Sequence, residues 1–310
     1  MIERFKADGT PFTGQFEVPN IGEVLGEFRV DGRRTLLTLR SKEPLVAAAR
    51  NQNGYYRGVL SSGEQVSLFQ CTARSYGDGG YGDRFQFATI FPHLVGIGRT
   101  HVGPEDAVVR SIQFTIEDAK LIFYDFDAFA SRIGDVDIVK ELIKRNALGR
   151  TVETGEDAIV AYFAGRRMLM DCPTHLGQFK AYHLPSHGWG GPTGVKLSSE
   201  IAFCIDLVEP QTVAKSMDTM RSLLPFFDMI IGRTQFLNSM VIELTTETDG
   251  RVDWLDLYWS HAPAKVAREK NEDPWVRDVL LWAVDRPEEF ATVLRNWVER
   301  QPEWQNEPPR

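Results

Sequence analysis

The chain has 310 residues, of which 43% are hydrophobic and 25% are charged, and its formal net charge at pH 7 is −8. This size and apolar content predict one large or two smaller globular domains. The negative charge argues against the broad basic surface on which non-specific nucleic-acid binding depends. Three scattered cysteines do not make a disulfide framework, and neither a signal peptide nor a membrane-spanning run is evident. We therefore expect a cytoplasmic protein.

Short β-strands and tight turns account for the first part of the chain. Residues 15–19 and 22–30 are predicted to form two strands joined by a Pro-Asn turn. Asp31-Gly32 is a hairpin signal, and it precedes a third strand over residues 35–39. Residues 44–53 are alanine-rich and then polar, which favours a short helix or a loop.

The stretch Gly54–Phe91 predicts a β-meander. Apolar residues around a Ser-Ser-Gly turn indicate two strands, and the alternation of Phe85, Phe87 and Thr89 indicates a third strand that returns beside them. Cys71 in this stretch is predicted to be a small buried hydrophobic residue that contributes to packing.

A glycine-rich loop over residues 75–83 connects the second of these strands to the third. Its four glycines give the backbone access to unusual dihedral angles, and surface loops often carry binding residues. We predict that this loop is a recognition element, with one tryptophan of the second half as a further contact: Tyr76, Asp78, Tyr81, Asp83 and Trp189. An ordinary flexible hairpin connection is the alternative.

The middle and the end of the chain alternate between strands and helices. Residues 108–116 predict a strand and residues 117–124 a short helix, and Asp135 is the predicted N-cap of a helix over residues 136–148. The later predicted strands are 158–163, 167–171, 201–207, 239–245 and 252–259.

The longest predicted helix starts at Glu209-Pro210 and ends at Gly232, because apolar residues repeat every three or four positions between them. Pro225 is expected to kink this helix or divide it in two. Two further helices are predicted to begin at Pro274 and Pro287, since proline suits the first turn of a helix.

These elements predict an α+β, mostly β protein. We expect an antiparallel sandwich-like or barrel-like N-terminal half, a second β-rich half with one long helix, and a helical C-terminal tail. The predicted division is an N-terminal β-rich domain over residues 1–134, a connecting helix over 135–150, a second α+β domain over 151–262 and a helical tail over 263–310.

The densest group of potential metal ligands lies between residues 172 and 187. Thiolate and imidazole are ligands that zinc prefers, and four of them occur close together: Cys172, His175, His183 and His187. No CxxC or HExxH motif is present, and Pro185 prevents a continuous helix from placing the last two histidines on one face. One hypothesis is a metal-dependent hydrolase, and the other is a loop with solvent-exposed histidines.

The sequence contains no catalytic signature. The motifs GxSxG and GxxxxGK[ST] do not occur. A HEPN-type ribonuclease needs an arginine four to six residues before a histidine on one helix, so that the guanidinium binds phosphate while the imidazole handles the ribose hydroxyl proton. None of the six histidines has an arginine at that distance. We therefore assign no catalytic residue and no cofactor to this chain.

Two groups of motifs carry a family resemblance. The first lies between Gly14 and Phe129: GQFEVP, GEFRV, TLLTL, GVLSSGEQVSLFQC, FQFATIF and VVRSIQFTIEDAKLIFYDF. The second lies in the other half: KLSSEIAF, SLLPFFDMIIG, VDWLDLYW and PEEFATVLRNWVERQPEW. In this order they resemble the N-terminal region of ApeA-like proteins, which are bacterial anti-phage abortive-infection factors.

The resemblance implies a sensing or regulatory module that controls a HEPN RNase. In that family the N-terminal module precedes an all-helical HEPN domain that carries the Arg/His motif, and this chain ends where that domain would begin. The expected partner is therefore a HEPN domain or effector, in cis or in trans. A phage-derived trigger is a further expected partner, and homo-oligomer formation is left open.

A third hypothesis is a ligand-binding or glycan-binding β-sandwich. It rests on the loop aromatics Tyr76, Tyr81 and Trp189, because exposed aromatic rings on loops are typical contacts for flat ligands. It differs from the other two hypotheses in needing neither a metal nor an effector domain.

Overall fold

The structure is a computed structural model, and it describes residues 9–31, 34–45, 54–78, 86–123, 129–135, 149–154, 157–163, 167–189, 195–259 and 287–300. The strands are β1 (Phe12–Val18), β2 (Gly22–Asp31), β3 (Arg34–Ser41), β4 (Tyr56–Leu60), β5 (Gln65–Phe69), β6 (Thr72–Asp78), β7 (Gln86–Phe91), β8 (Leu94–Gly98), β9 (Val109–Ile116), β10 (Phe129–Asp135), β11 (Gly149–Thr154), β12 (Asp157–Phe163), β13 (Arg167–Thr174), β14 (Gly177–Trp189), β15 (Val195–Gln211), β16 (Leu237–Thr248) and β17 (Arg251–Trp259). The helices are α1 (Ala119–Ile122), α2 (Val213–Ile231) and α3 (Pro287–Arg300).

The predicted fold class is confirmed: the protein is mostly antiparallel β-sheet, with one long helix and a short C-terminal helix. The chain forms two compact units, and each draws on three stretches of sequence. Unit 1 contains residues 1–113, 209–221 and 239–269, and unit 2 contains residues 114–208, 222–238 and 270–310. The predicted division into four consecutive segments stays a prediction.

Unit 1 is built on one antiparallel sheet. Its strands are hydrogen-bonded in the order β9-β16-β17-β8-β5-β4-β1-β2-β3-β7-β6, and the two ends of this order do not pair with each other among the described strands. The three predicted N-terminal strands are confirmed as β1, β2 and β3. The turn between the first two places Asn20 at φ 65°, a left-handed conformation that asparagine tolerates.

The predicted meander over Gly54–Phe91 is wrong. β4 and β5 form the expected hairpin, but the other neighbour of β5 is β8, and β6 and β7 pair with each other at the far end of the sheet beside β3. The chain leaves the hairpin after β5 at Gln70, which has φ 51°. Cys71 follows it, packs partly buried against the core of unit 1 and donates its backbone N–H to the Gly54 carbonyl at 2.7 Å.

Phe16 lies at the centre of the core of unit 1. It is fully buried on β1, and glycines occupy the adjacent strands on both sides. A Cβ atom on Gly26 would lie 2.8 Å from the Phe16 ring, and a Cβ on Gly58 would overlap the opposite edge of the same ring. One large ring therefore fills the space that two absent side chains leave, which keeps the interior close-packed.

The long helix α2 is confirmed, but it begins later than predicted. Residues 195–211 continue as a strand through Pro210, because a residue before proline is pushed towards extended backbone. Thr212 then caps the helix, and its Oγ1 accepts a hydrogen bond from the N–H of Lys215 at 3.2 Å.

Pro225 lies inside α2, and the helix runs through it as one element instead of dividing in two. Gly232 ends the helix as predicted. Its φ of 76° is left-handed, and its N–H donates to the carbonyl of Asp228 at 2.8 Å.

Unit 2 has strands in the order β13-β14-β15 and a separate three-stranded sheet in the order β10-β12-β11. A group of phenylalanines forms its described core. Phe203 is the hub of this group, with ring centroids 5.3 Å from Phe114, 5.8 Å from Phe179 and 4.9 Å from Phe227. Aromatic pairs at these distances contribute packing energy beyond their buried area.

A polar network in unit 2 fixes the start of the short helix α1. The carboxylate of Asp118 accepts hydrogen bonds from Arg233 Nε at 2.8 Å and from Gln235 Nε2 at 3.1 Å, and the Asp118 N–H donates to Gln235 Oε1 at 3.2 Å. Asp118 makes no side-chain cap to α1 itself. This buried carboxylate is therefore paired and hydrogen-bonded, as a buried charge must be.

Several predicted elements lie outside the described residues. They are the helix over residues 136–148, the helix expected from Pro274 and most of the segment 44–53. None of the described helices is long and apolar enough to cross a membrane.

We predict that Phe16→Ala lowers the free energy of unfolding by about 3–5 kcal/mol, because the flanking glycines cannot fill the cavity that it leaves. Leu25→Ala is the matched control, since Leu25 is 67% exposed on the neighbouring strand, and it should change stability by less than about 0.5 kcal/mol. Urea denaturation followed by circular dichroism measures both. Equal losses in the two variants would contradict the central position of Phe16.

Candidate functional site

The first four residues of the predicted recognition loop belong to a strand. Residues 75–78 belong to β6, where Tyr76 pairs with Ala88 and Asp78 pairs with Gln86. Tyr81 and Asp83 lie outside the described residues, and Trp189 is the last residue of β14. Nothing is described of the side chains of Tyr76, Asp78 and Trp189, so the recognition role of this loop stays a prediction.

The predicted Cys/His segment is a β-hairpin, not a loop. Cys172 is buried on β13 opposite Phe179, and His183 is buried further along β14, where it pairs with Arg167 and Ile201. His175 lies exposed in the turn between the two strands. The interpretation of His183 as a solvent-exposed loop histidine is therefore wrong. The strand signal in this segment is an alternation of buried residues with more exposed ones, and the buried residues are Phe179, Ala181 and His183.

The hairpin separates the four potential metal ligands. A strand rises about 3.3 Å per residue, so His183 lies roughly 13 Å along β14 from the residue that faces Cys172, and His187 is as far again from His183. Ligands of one zinc ion all lie within about 2.3 Å of it. Among the described residues no group of three His, Cys, Asp or Glu side chains is placed to hold a metal ion. The geometry thus gives the metal-dependent hydrolase no support.

Cys172 instead contacts the C-terminal helix α3. Its Sγ donates to the Ala291 carbonyl at 3.3 Å, and Arg295 donates through Nε to the Pro173 carbonyl at 3.1 Å and through Nη2 to Cys172 Sγ at 3.8 Å. Burial raises the pKa of the Cys172 thiol, although Arg295 acts in the opposite direction. The thiol is therefore a packing and hydrogen-bonding group.

Aromatic packing holds α3 to the core of unit 2 at a second place. Phe290 is fully buried, with ring centroids 5.2 Å from Phe123 and 5.8 Å from Phe226. Trp297, two turns along the helix, lies 5.9 Å from Phe226. The helix predicted from Pro287 is confirmed, and its apolar face is the one that docks.

In unit 1 a polar cluster holds down the loop after β8. Tyr55 donates its hydroxyl to the Val102 carbonyl at 3.0 Å, and the Val102 N–H donates to the buried Ser67 Oγ at 3.0 Å. Burial raises the pKa of the Tyr55 hydroxyl. These bonds satisfy the polar groups of the loop and fix its path over the sheet.

His101 lies half-buried in the same loop. Burial lowers the pKa of its imidazole, and the neighbouring Arg57 guanidinium lowers it further. Arg57 forms an ion pair with Glu17 on the adjacent strand. The lowered pKa favours the neutral imidazole, and its Nδ1 makes no hydrogen bond to the residues that the structure describes.

A groove on unit 1 is large enough for a small molecule. Its volume is about 430 Å³, and the described residues that line it are Arg99, Arg251, Val252 and Trp254. Small-molecule sites measure roughly 300–1,000 Å³. By contrast, a cavity beside His93 and Met217 measures about 10 Å³, which is room for about one water molecule.

The hairpin between β16 and β17 places Trp254 in this groove. Asp249 and Gly250 form the turn, with φ of 55° and 69°, the left-handed pair that a type I′ turn requires. β17 then alternates, so that Asp253 and Leu255 are buried while Trp254 is exposed. β8 pairs with β17, which brings Arg99 beside Trp254. An Asp-Gly signal and an alternating strand are visible in the sequence, but the pairing with β8 is not.

One family model matches part of the chain. Residues 174–297 match the family model described as ApeA N-terminal domain 1. No curated protein gave a significant match, and neither did any solved structure. The matched residues run from the β13–β14 turn to α3, so the chain contains an ApeA-like N-terminal region there, as the resemblance predicted. The first group of motifs, between residues 14 and 129, lies outside the matched segment.

We predict that the stability of unit 1 falls as the pH is lowered below about 6.5. His101 stays neutral in the folded protein at pH values where it is already protonated in the unfolded chain, so the unfolded state binds more protons there and gains relative stability. NMR titration should place the His101 midpoint below 6.5. Arg57→Gln should raise that midpoint only partway, because burial is the larger cause. A wild-type midpoint at or above 6.5 would contradict the described environment.

Proposed function

We propose that this chain is the sensing and regulatory N-terminal module of a bacterial anti-phage, abortive-infection system, and that it controls a HEPN RNase effector in cis or in trans. The match of residues 174–297 to ApeA N-terminal domain 1 is the observation that carries the proposal. The lack of an Arg/His ribonuclease motif in the sequence fits a chain that regulates and does not itself cleave RNA.

The C-terminal helix α3 is the element through which this module would act on its effector. In ApeA-like proteins the effector domain follows the N-terminal module. A helix near the end of the module is therefore well placed to connect the module to the effector. The contacts of Phe290 and Arg295 support this, because they couple the position of α3 to the packing of unit 2. An infection signal that repacks unit 2 would then change how α3 presents the effector.

The same proposal assigns the trigger to a phage-derived component. In this proposal the effector is inactive while unit 2 holds α3, and it becomes active once that contact changes. A ligand can shift such an equilibrium only by its differential affinity for the two arrangements. This requirement makes the α3 contacts the place to test the proposal.

We predict that cells which carry the HEPN-containing form lose phage protection when the region corresponding to this chain is removed. Plaque counts on lawns with the full-length form and with the deletion measure the effect. Full phage protection by the HEPN domain alone, without toxicity to the cells, would contradict the sensing role.

We also predict that Arg295→Gln alters protection or causes growth inhibition without phage, because it removes the hydrogen bond from α3 to the Pro173 carbonyl while leaving the phenylalanine core intact. Thr292→Ala is the matched control, since Thr292 is exposed on the same helix and bonds only within it. A thermal melt of each purified variant confirms folding. Identical plaque counts and growth for both variants would contradict signal transfer through α3.

A further inference from the structure

The groove on unit 1 combines an exposed aromatic ring with two cationic side chains. Trp254 is 41% exposed, although a tryptophan of this size is usually well buried. Arg99 and Arg251 are exposed beside it and line the same groove. The ring and the two guanidinium groups therefore face one common volume.

The side chains of both arginines lack a partner in the part of the chain that the structure describes. Arg99 and Arg251 make no hydrogen bond and no ion pair with the residues that the structure describes. By contrast, Arg110 on β9 is paired with Glu243, and Arg57 is paired with Glu17. Two guanidinium groups that line one groove and have no partner among the described residues are suited to bind an anion.

We propose that this groove binds a nucleotide, with the base stacked on the Trp254 indole and the phosphate held by Arg99 and Arg251. An indole face stacks on any planar base, and guanidinium groups bind phosphate through pairs of parallel hydrogen bonds. The groove volume of about 430 Å³ fits one nucleotide. The proposal goes beyond the regulatory role and does not depend on it.

Other ligand classes satisfy the groove less well. A neutral sugar would stack on Trp254 but leave both guanidinium groups without an anion, and an acidic peptide would pair with the arginines but offer no flat ring to the indole. A nucleotide supplies both groups at once. Its phosphate also carries more charge than one carboxylate.

The surroundings of the groove limit the ligand to about one nucleotide unit. The acidic side chain of Glu247 is exposed on β16 opposite Val252, and the chain as a whole has a net charge of −8. A long track of phosphates needs a row of basic side chains, and Glu247 interrupts such a row beside the groove. The same nucleotide chemistry comes from a free nucleotide or from one residue of a single-stranded nucleic acid, and the experiment below distinguishes these sources.

Isothermal titration calorimetry on the purified chain tests the proposal. The probes are adenosine 5′-monophosphate, adenosine, ribose 5-phosphate and a single-stranded RNA of ten adenosines. We expect the monophosphate to bind at least about tenfold more tightly than either fragment, because each fragment lacks one of the two contacts. Equal affinity for the RNA and the monophosphate indicates one-nucleotide recognition from either source. A higher affinity for the RNA assigns the source to nucleic acid.

Variants separate the groove from the rest of the surface. Trp254→Ala and the double variant Arg99→Gln/Arg251→Gln should each weaken binding of the monophosphate by about tenfold or more, whereas Trp254→Phe should retain most of it. Arg221→Gln is the control, because Arg221 is an exposed arginine of unit 1 outside the groove. Binding that is unchanged in the groove variants, binding of a hexaglutamate peptide as tight as that of the monophosphate, or no monophosphate binding at millimolar concentration would each overturn the proposal.

Discussion

At Gly98 the backbone of β8 lies so close to β17 that a Cβ atom would overlap the carbonyl oxygen of Trp254 and lie 2.6 Å from a methyl group of Leu255. Only glycine allows this approach. The contact lets β8 pair with β5 on one side and with β17 on the other, so that strands from the two ends of the sequence share one sheet. It also determines where Arg99, the next residue, and Trp254 lie, and the groove depends on both.

Local signals predicted the parts of the fold that local chemistry determines. The hairpins of β1, β2 and β3 follow from Pro-Asn and Asp-Gly turns between alternating apolar residues, and α3 follows from a proline at its first turn. The meander failed because turn chemistry places only neighbouring strands. β8 is the five-residue run LVGIG, whose two glycines weaken a strand signal, and its partners are distant in sequence, so no local pattern could assign its pairing.

Local sequence patterns were also a poor guide to the functional sites. The composition of the Cys/His segment indicated metal ligands, yet His183 is a buried strand residue and Cys172 makes a hydrogen bond to helix α3. Histidine, proline and glycine are common in loops, which concealed the alternation of β14. Trp254 lies in a predicted strand, but nothing in the sequence links it to the two arginines, because the three residues meet only after β8 and β17 have paired. A site formed by strand pairing is invisible to spacing rules.

The two units suggest a separation of tasks in the proposed module. Unit 2 contains most of the segment that matches ApeA N-terminal domain 1 and holds the helix that would lead to an effector. Unit 1 contains the groove, whose unpaired arginines have no role in folding among the described contacts. Ligand recognition and control of the effector would then reside in different parts of the chain, and variants in one part need not damage the other.

A crystal structure of the chain with adenosine 5′-monophosphate is the most direct measurement. We expect β8 paired with β17 at Gly98, the base against the Trp254 indole, and the phosphate between Arg99 and Arg251. A nucleotide bound elsewhere, an empty groove at saturating ligand, or a β17 strand that does not pair with β8 would contradict it.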